Sequence, residues 1–252
     1  MPAPSFRFRR FEIFHDKCAM KVGMDGVTLG AWAVSPEVPN VMERRILDIG
    51  TGSGLLALML AQKYPEALID AVEKDVPAAL QAAQNVAASP WPDTVQVYQG
   101  SFPEIVQQLP LKPQGEYHLI VCNPPFFKRD LKPLNQARSL ARHSGELDFA
   151  TLVRGAAPLL HPTGFLSVII PFQAAEIFEE YCYEYRLFLQ RSCRLVSVAG
   201  KAPIRMLMSF GRDRLEEVRR EELVVTGPRG AYTPEYRRLT EGYYLPEASR
   251  EP

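Results

Sequence analysis

At 252 residues, with 46% apolar and 23% charged side chains, the chain has the composition of an ordinary globular protein able to bury a core. Its 29 basic and 29 acidic residues give a net charge of +0, so any nucleic-acid contact must rest on a local patch. It has no apolar run long enough to cross a bilayer, no signal-peptide-type stretch at its start, and no metal or disulfide spacing among Cys18, Cys122, Cys182 and Cys193, so reduced thiols, no metal and a cytoplasmic location are expected.

In the first segment Phe6, Phe8 and Phe11 alternate with Arg7, Arg9 and Glu12, the period of an extended strand with one buried face. Gly23 and Gly26 then interrupt any regular element, and Val27 to Val34 reads as a short helix that Asp25 is able to cap. Pro36 to Pro39 reads as a connection. Residues 1–40 are therefore taken as an N-terminal extension and residues 41–252 as the main domain.

The main domain opens with a short apolar strand, Ile46 to Ile49, a turn carrying Gly50, Gly52 and Gly54, and a helix from Leu55 to Ala61. Glycines let backbone approach a ligand, and a helix start offers free N–H groups. The spacing is neither that of dinucleotide folds nor that of nucleoside-triphosphate loops. Asp48, just before the glycines, repels a pyrophosphate and suits a cationic ligand, which points to S-adenosylmethionine. A second strand, Leu68 to Glu73, follows at the usual offset, with Glu73 placed for ribose hydroxyls. Pro77 to Ala88 reads as a helix, and Thr94 to Tyr98 as a third strand ending at Gly100-Ser101.

The fourth strand, Tyr117 to Cys122, is apolar enough to need cover on both faces, and it stops at Asn123-Pro124-Pro125-Phe126. Two prolines stiffen the turn at the strand's carboxyl end, where open α/β sheets bind ligands. An amide side chain, a carbonyl and an aromatic ring there suit a planar amide or a nucleobase amine. The chain then turns basic, with Lys128, Arg129, Lys132, Arg138 and Arg142 opposed only by Asp130 before His143. Directly after that turn, this loop is read as a contact for substrate phosphates.

Asp148 to Leu160 reads as a helix weakened by Gly155, Phe165 to Ile170 as a buried strand, and Ala174 to Leu189 as a helix with a core stripe of Phe178, Tyr181, Tyr185 and Phe188. Arg194 to Val198 and Arg205 to Phe210 are expected as an antiparallel edge pair, with a further strand from Glu222 to Thr226. Tyr232, Tyr236, Tyr243 and Tyr244, with Arg229, Arg237 and Arg238, either pack over the core or face a nucleic acid. Strand and helix alternate as in an α/β, doubly wound, mostly parallel sheet.

The glycine turn together with Asn-Pro-Pro-Phe resembles the class I S-adenosylmethionine-dependent methyltransferases that act on amino groups. Phe14 to Ala33, Leu47 to Gln62, Ser89-Pro90-Trp91 and the tail from Val224 resemble more narrowly the bacterial tRNA(Val) adenine-N6 methyltransferase family, across nearly the whole chain. That resemblance implies a Rossmann-like, seven-stranded sheet and methylation of N6 of the adenosine at tRNA position 37, beside the anticodon. It implies that Lys21, Gly23, Asp25, Asp48, Gly50, Gly52, Gly54, Glu73, Ser101 and Asn123 form the cofactor pocket, and that Asn123, Pro124, Pro125 and Phe126 hold the adenine. Two departures stand out: Gly100-Ser101 replaces the acidic residue that often reads the cofactor's adenine, and Phe126 replaces a frequent Tyr. The rival readings are a methyltransferase for another RNA or for a protein glutamine amide, and a catalytically silent RNA-binding module.

Overall fold

Ile46, Leu47, Asp48 and Ile49 are all fully buried, as a strand covered on both faces must be. The computed structural model describes residues 4–33, 44–108, 115–125 and 147–246. Near the N-terminus, β1 (Ser5–Arg7) and β2 (Glu12–Phe14) pair as an antiparallel hairpin. The expected single strand is thus two short ones, because the chain reverses where the Phe8 amide donates to the Phe11 carbonyl. Helix α1 (Met24–Trp32) follows.

The core then alternates β3 (Arg45–Ile49), α2 (Leu55–Lys63), β4 (Leu68–Glu73), α3 (Val76–Ala87), β5 (Val95–Gln99), α4 (Phe102–Gln108) and β6 (Tyr117–Cys122). It continues with α5 (Phe149–Leu159), β7 (Leu160–Pro171), a 3-10 turn (Phe172–Ala174), α6 (Ala175–Glu184), β8 (Phe188–Val198), β9 (Arg205–Gly211), β10 (Arg219–Thr226) and α7 (Pro234–Thr240). The large sheet has eight strands among the described residues, in the order β10-β8-β9-β7-β6-β3-β4-β5. Only β9 runs against the others. β8 and β9 do pair antiparallel, but they are not the edge. β10 lies beside β8 in parallel and is the eighth strand, one more than expected.

Alternate strand residues feed two apolar clusters. Ile46, Leu119 and Val121 face α1, α2 and the aromatic tail, while Leu47, Ile120 and Cys122 face α4, α5 and α6. Tyr236 and Tyr243 of the tail are buried in the first cluster with Phe8, Phe11 and Trp91, which settles their role as packing. Gly155 has a packing reason: a Cβ there would meet the Phe102 ring at 2.6 Å, so the glycine lets α5 approach α4. Helix α6 ends earlier than the aromatic stripe implies. Arg186 adopts φ 57, which turns the chain, so Tyr185 is the helix's C-cap and Phe188 belongs to β8.

Candidate active site

The chain leaves β3 toward β4 and β5, then returns to place β6 on the other side of β3. Ligands of open α/β sheets bind outside the strand ends at such a reversal. Here the ends are the glycine turn after β3 and Asn123-Pro124-Pro125 after β6. Two cavities of about 480 and 320 Å³ open there. Both are lined by Met20, Gly50, Gly52, Asn123 and Pro125, so they are two lobes meeting at Asn123.

Gly50 and Gly52 have φ of 73° and 58°, in the left-handed region, and a Cβ on either would meet nothing within 4 Å. That space is room for a ligand against bare backbone. Gly54 serves differently: it caps α2 with φ 85, and a Cβ on it would meet the Ala82 side chain at 3.5 Å. Glu73 closes the turn from the end of β4. Its Oε2 accepts from the Gly52 amide and its Oε1 from the Asp75 amide, both at 2.8 Å. It lines the smaller lobe with Gly100, Ser101 and Phe102. Ser101 donates its amide to Glu104 at 3.2 Å, and bonding to Ser101 holds the Glu104 carboxyl below its usual range.

Asp48 lies beneath the turn rather than on the cavity wall. It is fully buried, and its Oδ2 accepts from Thr51 Oγ1 at 2.5 Å and from the Ala57 amide at 3.1 Å. Its Oδ1 is buried with no hydrogen-bond partner among the described residues. Burial pushes this carboxyl up to about 7, against the two bonds it accepts.

The larger lobe is lined by Lys21, Gly23, Met24, Asp25, Pro124, Pro171 and Arg205, among others. Lys21 Nζ donates to the carbonyls of His15, Asp16 and Cys18 at 2.8, 3.3 and 3.3 Å, so it pins the loop ahead of α1. Asp25 does not cap α1. The N-cap is Gly23, and the Asp25 carboxylate instead accepts from Arg205 Nε at 2.7 Å.

The loop is held from below by two polar side chains of α3, Gln81 and Asn85, both buried. Gln81 accepts from the Lys17 amide at 3.0 Å and the Cys18 thiol at 3.2 Å, and donates to Asp16 at 2.6 Å. That bond is the main reason the Asp16 carboxyl sits below its ordinary value. Burial pushes the Cys18 thiol up to about 11, so it stays a donor. Asn85 bonds both Phe14 backbone groups and the Ser53 carbonyl.

The structure thus brings Lys21, Gly23, Asp25, Gly50, Gly52, Glu73, Ser101, Asn123, Pro124 and Pro125 to one cleft. Phe126, Lys128, Arg129, Lys132, Arg138 and Arg142 lie outside the described residues. Arg205, Gln81 and Asn85 are additions that the sequence reading missed. The signal for the last two was available: polar residues four apart on the helix face that also carries Ala78, Ala82 and Val86. Among the described residues no group of His, Cys, Asp or Glu is placed to hold a metal ion, and no helix is long and apolar enough to cross a membrane.

Residues 24–175 match the family model of the methyltransferase small domain. A tRNA1(Val) (adenine(37)-N6)-methyltransferase of Bacteroides thetaiotaomicron is 44% identical over 246 residues, which is 97% of this chain and 99% of the relative. One of the same name from Aeromonas salmonicida is 42% identical over 95% of this chain and 97% of its own length. Among solved structures, one described as a predicted O-methyltransferase of Agrobacterium tumefaciens superposes with a TM-score of 0.66 at 19% identity, covering 87% of this chain and 96% of that one. TYW2 of M. jannaschii, determined in complex with AdoMet, gives 0.55 at 10% identity over 83% of this chain and 86% of its own. The two superpositions speak for the fold, and the sequence matches carry the family. The chain is an enzyme of the methyltransferase small domain family and belongs, within it, to the tRNA1(Val) (adenine-N6)-methyltransferases.

Proposed function

We propose that this chain transfers a methyl group from S-adenosylmethionine to N6 of adenosine 37 in tRNA(Val), in the cytoplasm. The observation that carries the reading is the meeting of two lobes at Asn123, which lines both. In this reading the methyl donor runs from the smaller lobe past Asn123 into the larger, which brings its methyl to the residue that receives the acceptor amine. The donor's site fits the residues present. Gly50 and Gly52 leave open backbone where a ligand can lie, and Glu73 offers carboxylate oxygens at the rim. Bound there, S-adenosylmethionine supplies an electrophilic methyl on a sulfonium.

The chain's own part is orientation. An exocyclic adenine amine is a weak nucleophile because its lone pair is shared with the ring. In our reading the Asn123 side-chain oxygen and the Pro124 carbonyl accept hydrogen bonds from the two amine N–H groups and aim the lone pair. Neither group is a base at neutral pH, so their contribution is positioning and preorganised electrostatics. Pro125 keeps the turn stiff. Phe126 takes the role of stacking on the extruded base, and the basic residues from Lys128 to Arg142 that of meeting backbone phosphates. An anticodon loop suits this scheme because extrusion there breaks little pairing. The residues to about 40 act in this reading as an extension that completes the pocket.

The test is incubation of the purified protein with methyl-labelled S-adenosylmethionine and total tRNA from cells lacking the activity, followed by nucleoside analysis. Label in N6-methyladenosine of a valine tRNA is expected. Label in a protein amide or in another RNA, or cofactor binding without transfer, would overturn the assignment.

A further inference from the structure

The larger lobe holds three charged side chains among the described residues: Lys21, Asp25 and Arg205. The ammonium of Lys21 is spent on three backbone carbonyls. That leaves Asp25 and Arg205, joined at 2.7 Å from the first turn of α1 and the start of β9. Arg205 uses Nε on Asp25 and Nη1 on the Ile204 carbonyl, so Nη2 has no partner among the described residues. Asp25 uses Oδ2 in this pair, and Oδ1 remains to accept. The side chains are 27% and 36% exposed, and an ion pair this accessible adds little to stability. Its position in a cavity wall asks for another reason.

Building on the methyltransferase reading, we propose that Asp25 and Arg205 together form the receptor for the amino-acid end of S-adenosylmethionine. That end is a zwitterion: one carboxylate and one ammonium on the same α-carbon. An Asp–Arg pair offers the complementary charges side by side. Arg205 Nη2 takes the carboxylate and Asp25 Oδ1 takes the ammonium, without breaking the bond between them. The first turn of α1 lines the same lobe, and its N-cap Gly23 has no side chain to satisfy it, so its amides add donors for the carboxylate. The opposite end of the ligand falls in the smaller lobe, where Glu73 and Ser101 stand. The assignment leaves Lys21, expected in the cofactor pocket, with the role of holding the loop. Arg205 gains a specificity role that depends on β9 being antiparallel, because only then does its first residue lie with the carboxyl ends of the other strands.

The experiment is calorimetric titration of wild type, Arg205→Met and Asp25→Asn with three ligands. These are S-adenosylmethionine, its decarboxylated form and 5′-methylthioadenosine, which lacks the amino-acid end. Arg205→Met is expected to weaken S-adenosylmethionine by about ten- to a hundredfold, the scale of a lost charge-assisted bond, and to leave the decarboxylated ligand within about threefold. Asp25→Asn is expected to weaken both ammonium-bearing ligands and to spare methylthioadenosine. Equal losses on all three ligands would mean a structural pair and would overturn the proposal. So would unchanged cofactor affinity with a raised KM for tRNA, which would turn the guanidinium toward the nucleic acid. Should a variant not fold, wild type still decides: it is expected to prefer S-adenosylmethionine over the decarboxylated form by at least about tenfold, and equal affinities would overturn the carboxylate site. Wild type that binds none of the three would instead sink the methyltransferase reading itself.

Discussion

Asn85 treats Phe14 as a strand would: its Oδ1 accepts from the Phe14 amide at 3.0 Å and its Nδ2 donates to the Phe14 carbonyl at 2.8 Å. The same Nδ2 donates to the Ser53 carbonyl at 2.8 Å. One buried amide on α3 therefore ties the N-terminal hairpin to the glycine turn. The loop that follows Phe14 runs along the cleft wall, through Cys18, Met20 and Lys21. The pocket's front wall is held by its floor.

Asn85→Ala is expected to remove all three bonds and leave backbone groups without partners. Each unsatisfied group of this kind costs about 1–3 kcal/mol when water cannot reach it, and partial rewetting makes roughly 2–4 kcal/mol a fair total. Urea denaturation reads the stability. Cofactor affinity should fall in parallel, because the wall loses its anchor. A variant as stable as wild type would show that the loop holds itself.

Glu73 makes a second, sharper case. Both of its oxygens already accept a backbone N–H, from Gly52 and Asp75. Glutamine offers one carbonyl oxygen, and its NH₂ would point at the other N–H. Glu73→Gln should therefore cost roughly 1–2 kcal/mol of stability and also weaken S-adenosylmethionine binding. If affinity drops while stability holds, Glu73 serves the ligand alone and the turn does not depend on it.

The local part of this architecture was legible in the sequence. Short apolar runs ending in Gly50-Thr51-Gly52, Glu73 and Asn123-Pro124 announce strands, their ends and the turn chemistry within a few residues. The missed contacts are long-range. Arg205 meets Asp25 across 180 positions, and Asn85 meets Phe14 across 71. Neither pairing has a period or a spacing to read. Asp48 shows a different limit. Its place before the glycines is plain in the sequence, but whether it faces the ligand or the core depends on the helix packed beneath it, and here it turns to the Ala57 amide.

That burial gives Asp48 a pH signature. Its carboxyl titrates near 7 in the folded chain, raised chiefly by desolvation from an ordinary 3.8. Between these values the folded state keeps a proton that the unfolded state has released. Its contribution to stability is therefore largest at low pH, declines as pH rises from about 4 to about 7, and levels off above, by up to about 1.4 kcal/mol per pH unit. Asp48→Asn has nothing to titrate, and its amide oxygen can accept from Thr51 and Ala57 as before. The difference in unfolding free energy between wild type and Asp48→Asn should fall with that slope across the window. Parallel curves would mean that Asp48 titrates normally.

The last prediction concerns Asn123, where the two lobes meet. Its oxygen is proposed to accept one amine N–H, a contact that gains its full strength as the nitrogen attacks. An interaction made mainly in the transition state appears in kcat, not in ground-state binding. Asn123→Ala should lower kcat by about thirty- to a thousandfold, the range seen when one oriented polar contact is lost. The Kd for S-adenosylmethionine should move by less than about tenfold, since Gly50, Gly52 and Glu73 still hold the donor. Single-turnover methylation of tRNA with saturating cofactor separates the two effects. Normal turnover in Asn123→Ala would remove the residue from the mechanism and leave the Pro124 carbonyl as the acceptor to examine. A large loss confined to cofactor affinity would place Asn123 on the donor's side of the cleft only.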